Sequence, residues 1–226
     1  MFIKFSGRRT VLCSSLGVII ALSKMLERES CCEAYTASKG IIAYGATYAA
    51  NNPSEDRMVV SPVGLGRGKS ATMVGVFDGH GGWQVSEFVS ENIVDVLTRH
   101  LSALQGRDDE VSVSDALRAA YAELEARYLH GVQKSFEYGF GAVAKVGCCA
   151  LVVVRVGDRL NIANTGDCRA VLGSTIADSA GLDTMKAVRL TRDHNAREPL
   201  EVLRLQAEHP GEPLSSLIRC KNPHAC

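Results

Sequence analysis

The sequence lacks several things, and each absence narrows what the protein can do. It has no net charge, with 25 Lys and Arg against 25 Asp and Glu. No overall field therefore gathers nucleic acid or an anionic membrane, and no basic cluster marks a nucleic-acid footprint. None of its eight cysteines form a Cys-x-x-Cys pair, which argues against a zinc ribbon or a thioredoxin-like site. Cys31-Cys32 and Cys148-Cys149 are adjacent pairs, awkward for intrachain bridges because strand neighbours point to opposite faces. Reduced thiols acting as small hydrophobes are the simpler reading. Cys220, His224 and Cys226 form one short ligand run, too little to close a tetrahedral site. Internal repeats and low-complexity tracts are absent. With 46% hydrophobic and 22% charged residues the chain is too apolar for disorder. Its 226 residues fit one domain plus an appended segment.

Acids are also missing from the start. Lys4, Arg8, Arg9 and Lys24 precede the first acid, Glu27, and Val11–Leu22 is apolar with interspersed Ser. A transit peptide is basic, Ser-bearing and acid-poor, whereas a secretory signal has a basic start and a short apolar core. The segment fits both descriptions, and its apolar run is short for a membrane span. Residues 1–38 are therefore expected to be a targeting segment. A mitochondrial matrix address is one expectation; secretion, or membrane anchoring through residues 10–22, is the alternative.

Beyond it, Ile41–Ala50 reads as a strand, Asn51-Asn52-Pro53 as a turn, and Met58–Pro62 as a second strand. Gly64–Lys69 reads as a flexible hairpin connection and Ala71–Phe77 as a buried strand. Trp83–Leu101 has helical spacing, with Val85, Phe88, Val89, Ile93, Val96 and Leu97 on one face. Ser114 is the expected N-cap of a second helix ending at Leu129, with Leu117, Tyr121, Leu124 and Tyr128 along its stripe. Gly131–Gly141 reads as irregular. Cys148–Val156 and Leu160–Ala163 form a hairpin across Gly157-Asp158; a turn at Asn164–Asp167, a strand at Arg169–Gly173 and a helix at Glu198–Glu208 follow. This order gives an α+β fold, a sandwich of largely antiparallel sheets flanked by helices.

Three carboxylate-bearing segments stand at strand ends. Asp78-Gly79-His80-Gly81-Gly82 follows a buried strand directly, Glu55-Asp56 precedes another, and Asn164-Thr165-Gly166-Asp167 follows a third. A lone Asp-Gly is most simply a turn. Three such ends together point to oxygen ligands for a hard divalent cation such as Mg2+ or Mn2+.

Val76–Gly82 (VFDGHGG), the Glu55-Asp56 pair, Asn164–Ala170 (NTGDCRA) and Leu190–Asn195 (LTRDHN) together resemble successive motifs of the metal-dependent type 2C (PPM) Ser/Thr protein phosphatase family. The resemblance covers about residues 40–219, so residues 39–226 are expected to hold the N-terminal two-thirds of such a domain, incomplete beyond them. Within the family, Asn51–Arg57 and Asp193–Ala196, with Leu203 and Glu208-His209-Pro210, are most similar to the pyruvate dehydrogenase phosphatase branch. The resemblance implies an α/β/β/α sandwich and two Mg2+ or Mn2+ ions that activate a water for in-line attack on phosphoserine or phosphothreonine. It also implies that Asp78 bridges the ions, that the Gly79 carbonyl binds one of them, and that Glu55 holds the other with Asp56 beside it. Asp167 would support a further ion, and His80 would protonate the leaving oxygen. Asn51 stands where most of the family has a phosphate-binding Arg. The family's later Asp-Gly and Asp-Asn ligands do not occur in the sequence, which implies slow turnover. The rival reading is a catalytically weak pseudophosphatase that binds phosphoproteins. A phosphoprotein, by the branch resemblance the pyruvate dehydrogenase complex, is the implied partner; the oligomeric state is left open.

Overall fold

The structure, a computed structural model, describes residues 52–177 and 183–218, together with the backbone of four earlier strands. Those strands are β1 (Phe2–Phe5), β2 (Leu16–Ala21), β3 (Cys31–Ala37) and β4 (Ile41–Thr47). The site depends on the next part of the chain: β5 (Asp56–Gly66), β6 (Lys69–His80), helices α1 (Gln84–Ser102) and α2 (Glu110–Glu137), then β7 (Gly147–Val156) and β8 (Arg159–Thr165). After them come β9 (Arg169–Ala177), β10 (Asp183–Arg189), α3 (Pro199–Glu208) and α4 (Leu214–Leu217).

Strands β5-β6-β7-β8 form a four-stranded sheet in that order, and β10-β9-β2-β1-β4-β3 a six-stranded one. Every described pairing is antiparallel. The two-residue side-chain period of a strand sorts the four-stranded sheet onto two cores. Met73 and Phe77 of β6 join Val152 and Val154 of β7 on the helix side, against Ile93, Val96, Leu97, Leu101, Leu117 and Leu124. Val74 and Val76 join Leu151 and Val153 on the other face, against Cys168 just before β9 and Ala170 and Leu172 at its start. The second cluster is the seam between the sheets. Helices α1 and α2 lie side by side on the four-stranded sheet, and α3 buries no residue. This is the α+β class that the sequence implied.

Three local expectations are corrected. Gly64–Lys69 is not a loose connection: pairing continues through a bulge to Gly66 and Lys69. Only Arg67 and Gly68 turn, both at positive φ, 50° and 73°, the hand that suits the twist of a hairpin. The second helix starts at Asp109 rather than Ser114. Asp109 holds an extended backbone and its carboxylate accepts from the Ser112 N–H at 2.9 Å, as an N-cap does. The stretch from Gly131 is not irregular at its beginning, because α2 continues through it to Glu137. Gly131 disfavours helix by about 1 kcal/mol, a local preference that the rest of a long helix overrides.

Candidate active site

Asp78 reaches the site because it continues the row Val74, Val76, Asp78 on the seam face of β6. The seam runs out at this end of the sheet, so an apolar row ends in a carboxylate. Asp56 on β5 is its direct cross-strand partner, and Cys149 on β7 is its partner on the other side. The Asp56 and Asp78 carboxyls thus stand directly opposite on neighbouring strands. Burial first, then the negative charges of Asp78 and Glu55, lift the Asp56 carboxyl above its ordinary value.

Glu55 is tied to the same corner through its backbone. Its carbonyl accepts from Gly79 N–H at 3.1 Å and from the Ser86 hydroxyl at the start of α1. A Cβ on Gly79 would lie 2.5 Å from that carbonyl oxygen, so only glycine lets the two segments approach so closely. Arg57 pairs with Glu87 through Nε, while its Nη1 donates to Ser54 O at 2.7 Å and Asp56 O at 2.8 Å. Residues 54–57 are thereby fixed against the first turn of α1.

Asp167 arrives from the turn after β8. Gly166 has φ 90°, and a Cβ there would lie 2.3 Å from Cys149 Sγ. The Cys149 thiol donates to Asp167 Oδ1 at 3.4 Å, and burial pushes that thiol up to about 11, so it stays protonated. Cys149 thus sits between Asp78, its strand partner, and Asp167, its hydrogen-bond partner. The turn is braced from behind: Asn164 Nδ2 donates to Arg192 O at 3.1 Å and His194 N–H to Gly166 O at 2.9 Å. Asp193, 4% exposed, receives Arg169 Nε and Nη2, at 3.0 and 2.6 Å, and Arg189.

The predicted site residues are therefore largely brought together. Glu55, Asp56, Asp78, Gly79 and Asp167 gather at one end of the four-stranded sheet. His80 is at the same end, with its ring over Gly147: a Cβ on Gly147 would lie 2.3 Å from His80 Nε2. Asn51 lies outside the described residues, as do Cys220, His224 and Cys226. Sequence reasoning missed Ser86 and Cys149 and left Asp193 without a role. Ser86 had a signal, since a small hydroxyl on an otherwise apolar helix face asks for a polar partner. Cys149 had none, because its use depends on strand register.

Among the described residues, no three His, Cys, Asp or Glu side chains close into a ready-made metal cage. The donors that do converge are carboxylates and a backbone carbonyl, all hard oxygens. Burial, with the charges of Asp78 and Glu55 added to it, makes Asp56 bind its proton more tightly than usual. That arrangement fits Mg2+ or Mn2+, which keep several waters and need few protein oxygens. No described helix is long and apolar enough to cross a membrane, and the described thiols, Cys148, Cys149 and Cys168, are unbridged.

An antiparallel two-sheet sandwich with carboxylates at the open end of its seam has a clear counterpart among known proteins. The family model described as Protein phosphatase 2C matches residues 45–215, and the chain belongs to that family. Curated relatives include a probable protein phosphatase 2C of Oryza sativa, 36% identical over 169 residues, which cover 74% of this chain and 39% of the relative. Another, from Arabidopsis thaliana, is 34% identical over 171 residues, covering 74% of this chain and 42% of that protein. The chain thus spans about two-fifths of the length of these relatives. A solved structure of a C. elegans sex-determining protein matches with a TM-score of 0.50 at 24% identity, over 70% of this chain and 35% of that one. It bears on the fold alone.

Proposed function

We propose that the protein is a metal-dependent Ser/Thr protein phosphatase that hydrolyses phosphoserine and phosphothreonine in proteins. The observation that carries this reading is the Asp56–Asp78 pair beside the Glu55–Gly79 contact, in a chain of the 2C family. Asp78, Glu55, the Gly79 carbonyl and Asp56 would hold Mg2+ or Mn2+, of which the complete family domain is expected to take two, and Asp167 would support a further ion. Such ions supply the positive charge that phosphoryl transfer requires and lower the pKa of water.

The chain's own residues do the rest. Ser86 and the Gly79 N–H fix the Glu55 backbone, and Arg57 locks residues 54–57 against Glu87. Asp78, held between Asp56 and Cys149, is the fixed point of the cluster. His80, exposed at the rim, has the chemistry to protonate the departing seryl or threonyl oxygen. Asn51 is assigned to the substrate phosphate. The test is Mn2+-dependent phosphate release from a phosphopeptide by the purified chain. Release that drops at least about a hundredfold in Asp78→Asn, and about as far in His80→Ala with metal binding retained, supports the assignment. Phosphopeptide binding without any release would instead mark a non-catalytic binding module.

The finer proposal, that the substrate is the pyruvate dehydrogenase complex in the mitochondrial matrix, is supported by the branch motifs at 51–57 and 193–210 and by the basic start of the chain. A fluorescent fusion of residues 1–40 that enters the secretory pathway would overturn the address. Strands β1, β2 and β3 are drawn from the same stretch, so N-terminal sequencing of protein recovered from cells shows whether the sheet keeps it.

A further inference from the structure

A cavity of about 830 Å3 opens between the helical layer and the first residues of β7, and His80 lines its rim. Its floor is Gly147, Cys148 and Ala150, directly beside the strand register that places Asp78 and Gly79. Its walls are apolar, with Val89 and Ile93 from α1 and Leu129 and Phe136 from α2. Leu129 and Phe136 are 54% and 57% exposed. Glu125, near the middle of α2, and Gln133, on its last turns, stand among these apolar groups. The volume lies in the range of ligand-binding clefts. The apolar face here is concave and continuous with the candidate active site, whereas the exposed leucines of α3 line no described cavity.

We propose that this groove docks the phosphoprotein substrate, taking bulky apolar side chains that flank the phosphorylated residue on an extended segment. The inference rests on the phosphatase reading above. An extended chain advances about 3.3–3.6 Å per residue. With a phosphoresidue at His80, residues roughly two to four positions away fall over the groove. Glu125 is then placed to accept from the backbone N–H groups of that segment, while Gln133 Nε2 is engaged with Glu137 Oε1. A concave apolar floor beside polar groups suits one strand of polypeptide better than the broad surface of a second copy.

The test uses the full chain in Mn2+ buffer and two phosphoserine peptides that differ only in carrying Leu and Phe, or Ala, beside the phosphoserine. Binding is read by the fluorescence of Trp83, the chain's one tryptophan, at the N-cap of α1. Chemistry is read separately by phosphate release and by hydrolysis of p-nitrophenyl phosphate. The apolar peptide is expected to bind roughly tenfold more tightly, the worth of one well-buried large side chain. Leu129→Glu and Phe136→Glu, both at half-exposed positions, should each remove most of that preference, and Leu129→Ser part of it. All three should leave Ala-peptide binding and p-nitrophenyl phosphate hydrolysis unchanged. Leu203→Glu on α3 should change nothing. Equal affinity for the two peptides in the unmodified chain overturns the proposal, as does a preference that survives both glutamate variants. Equal affinity together with a concentration-dependent dimer that Leu129→Glu dissolves would assign the groove to a second copy instead. A groove-dependent preference with no phosphate release keeps the docking site and sinks the phosphatase reading.

Discussion

At the scale of single residues, the site is held by contacts with little slack. Gly79 meets Glu55 O, Ser86 Oγ and Gly82 O at 2.5, 3.0 and 3.1 Å from the place a Cβ would occupy. Two of the three are backbone atoms, which cannot swing aside. Gly79→Ala should therefore cost about 2 kcal/mol in chemical denaturation, within the usual range for overpacking, and should weaken Mn2+ binding by separating Glu55 from Asp78. Unchanged stability would show that the 55–79 contact is looser than described. Asp193 makes the opposite case, a buried charge held by two partners. Asp193→Ala leaves the guanidinia of Arg169 and Arg189 without their shared acceptor. Removing one member of a buried pair costs roughly 3–5 kcal/mol; both arginines are about two-fifths exposed, so about 2 kcal/mol is expected. Hydrogen bonding from Arg169, reinforced by the charges of Arg169 and Arg189, holds the Asp193 carboxyl below its ordinary value. A depressed folded-state value adds stability that is present above the unfolded value near roughly 4 and is lost as pH falls through the folded one. Acid titrations of stability should therefore be shallower below about pH 4 in Asp193→Ala than in the unmodified chain. Parallel curves would remove Asp193 from the account.

At the scale of elements, legibility followed the length of the periodic pattern. The apolar stripe of α1 and the alternation of β6 and β7 are strong signals, and the structure has those elements within a few residues of the expected bounds. The extent of α2 was not legible, because its true start is a polar run in which Asp109, with an extended backbone and a carboxylate that accepts from Ser112 N–H, is the cap rather than Ser114. Its last turns contain Gly131, which local propensity reads as a break. Side-chain packing reverses that reading: Val132 and Phe136 line the cavity on one side, and Gln133 Nε2 donates to Glu137 Oε1 at 2.9 Å on the surface. A Cβ on Gly131 would meet nothing within 4 Å. Gly131→Ala is thus expected to stabilise the protein by about 0.5–1 kcal/mol, with no loss of helical circular dichroism. Destabilisation would mean that residue 131 is not helical. The fold of the six-stranded sheet was the least legible part, since β9 pairs with β2 across most of the chain and nothing local announces that partner.

At the scale of the whole molecule, the site was legible as a set of residues but not as a geometry. Glu55, Asp78 and Asp167 could be named because each sits at a strand end. Their convergence depends on the register Asp56–Asp78–Cys149 across three strands, which sequence alone does not fix. That register has an energetic consequence which tests the site without any measurement of activity. Two carboxylates directly opposite on neighbouring strands repel, at roughly 0.2–1 kcal/mol, and Glu55 adds to the repulsion. The cluster is then a liability in the absence of a cation and an asset in its presence. Asp78→Asn is nearly the same shape without the charge, so in chelator at neutral pH the variant should melt slightly above the unmodified chain. Adding Mn2+ at about a hundred times its dissociation constant should stabilise the unmodified chain by about 2.7 kcal/mol, because the ion binds the folded state alone. The variant, lacking the central ligand, should gain far less, so the order of the two melting temperatures inverts with metal. Thermal melts of both proteins, in chelator and in Mn2+, decide the matter. If Asp78→Asn lowers stability in chelator and responds to Mn2+ as the unmodified chain does, Asp78 serves the fold rather than an ion.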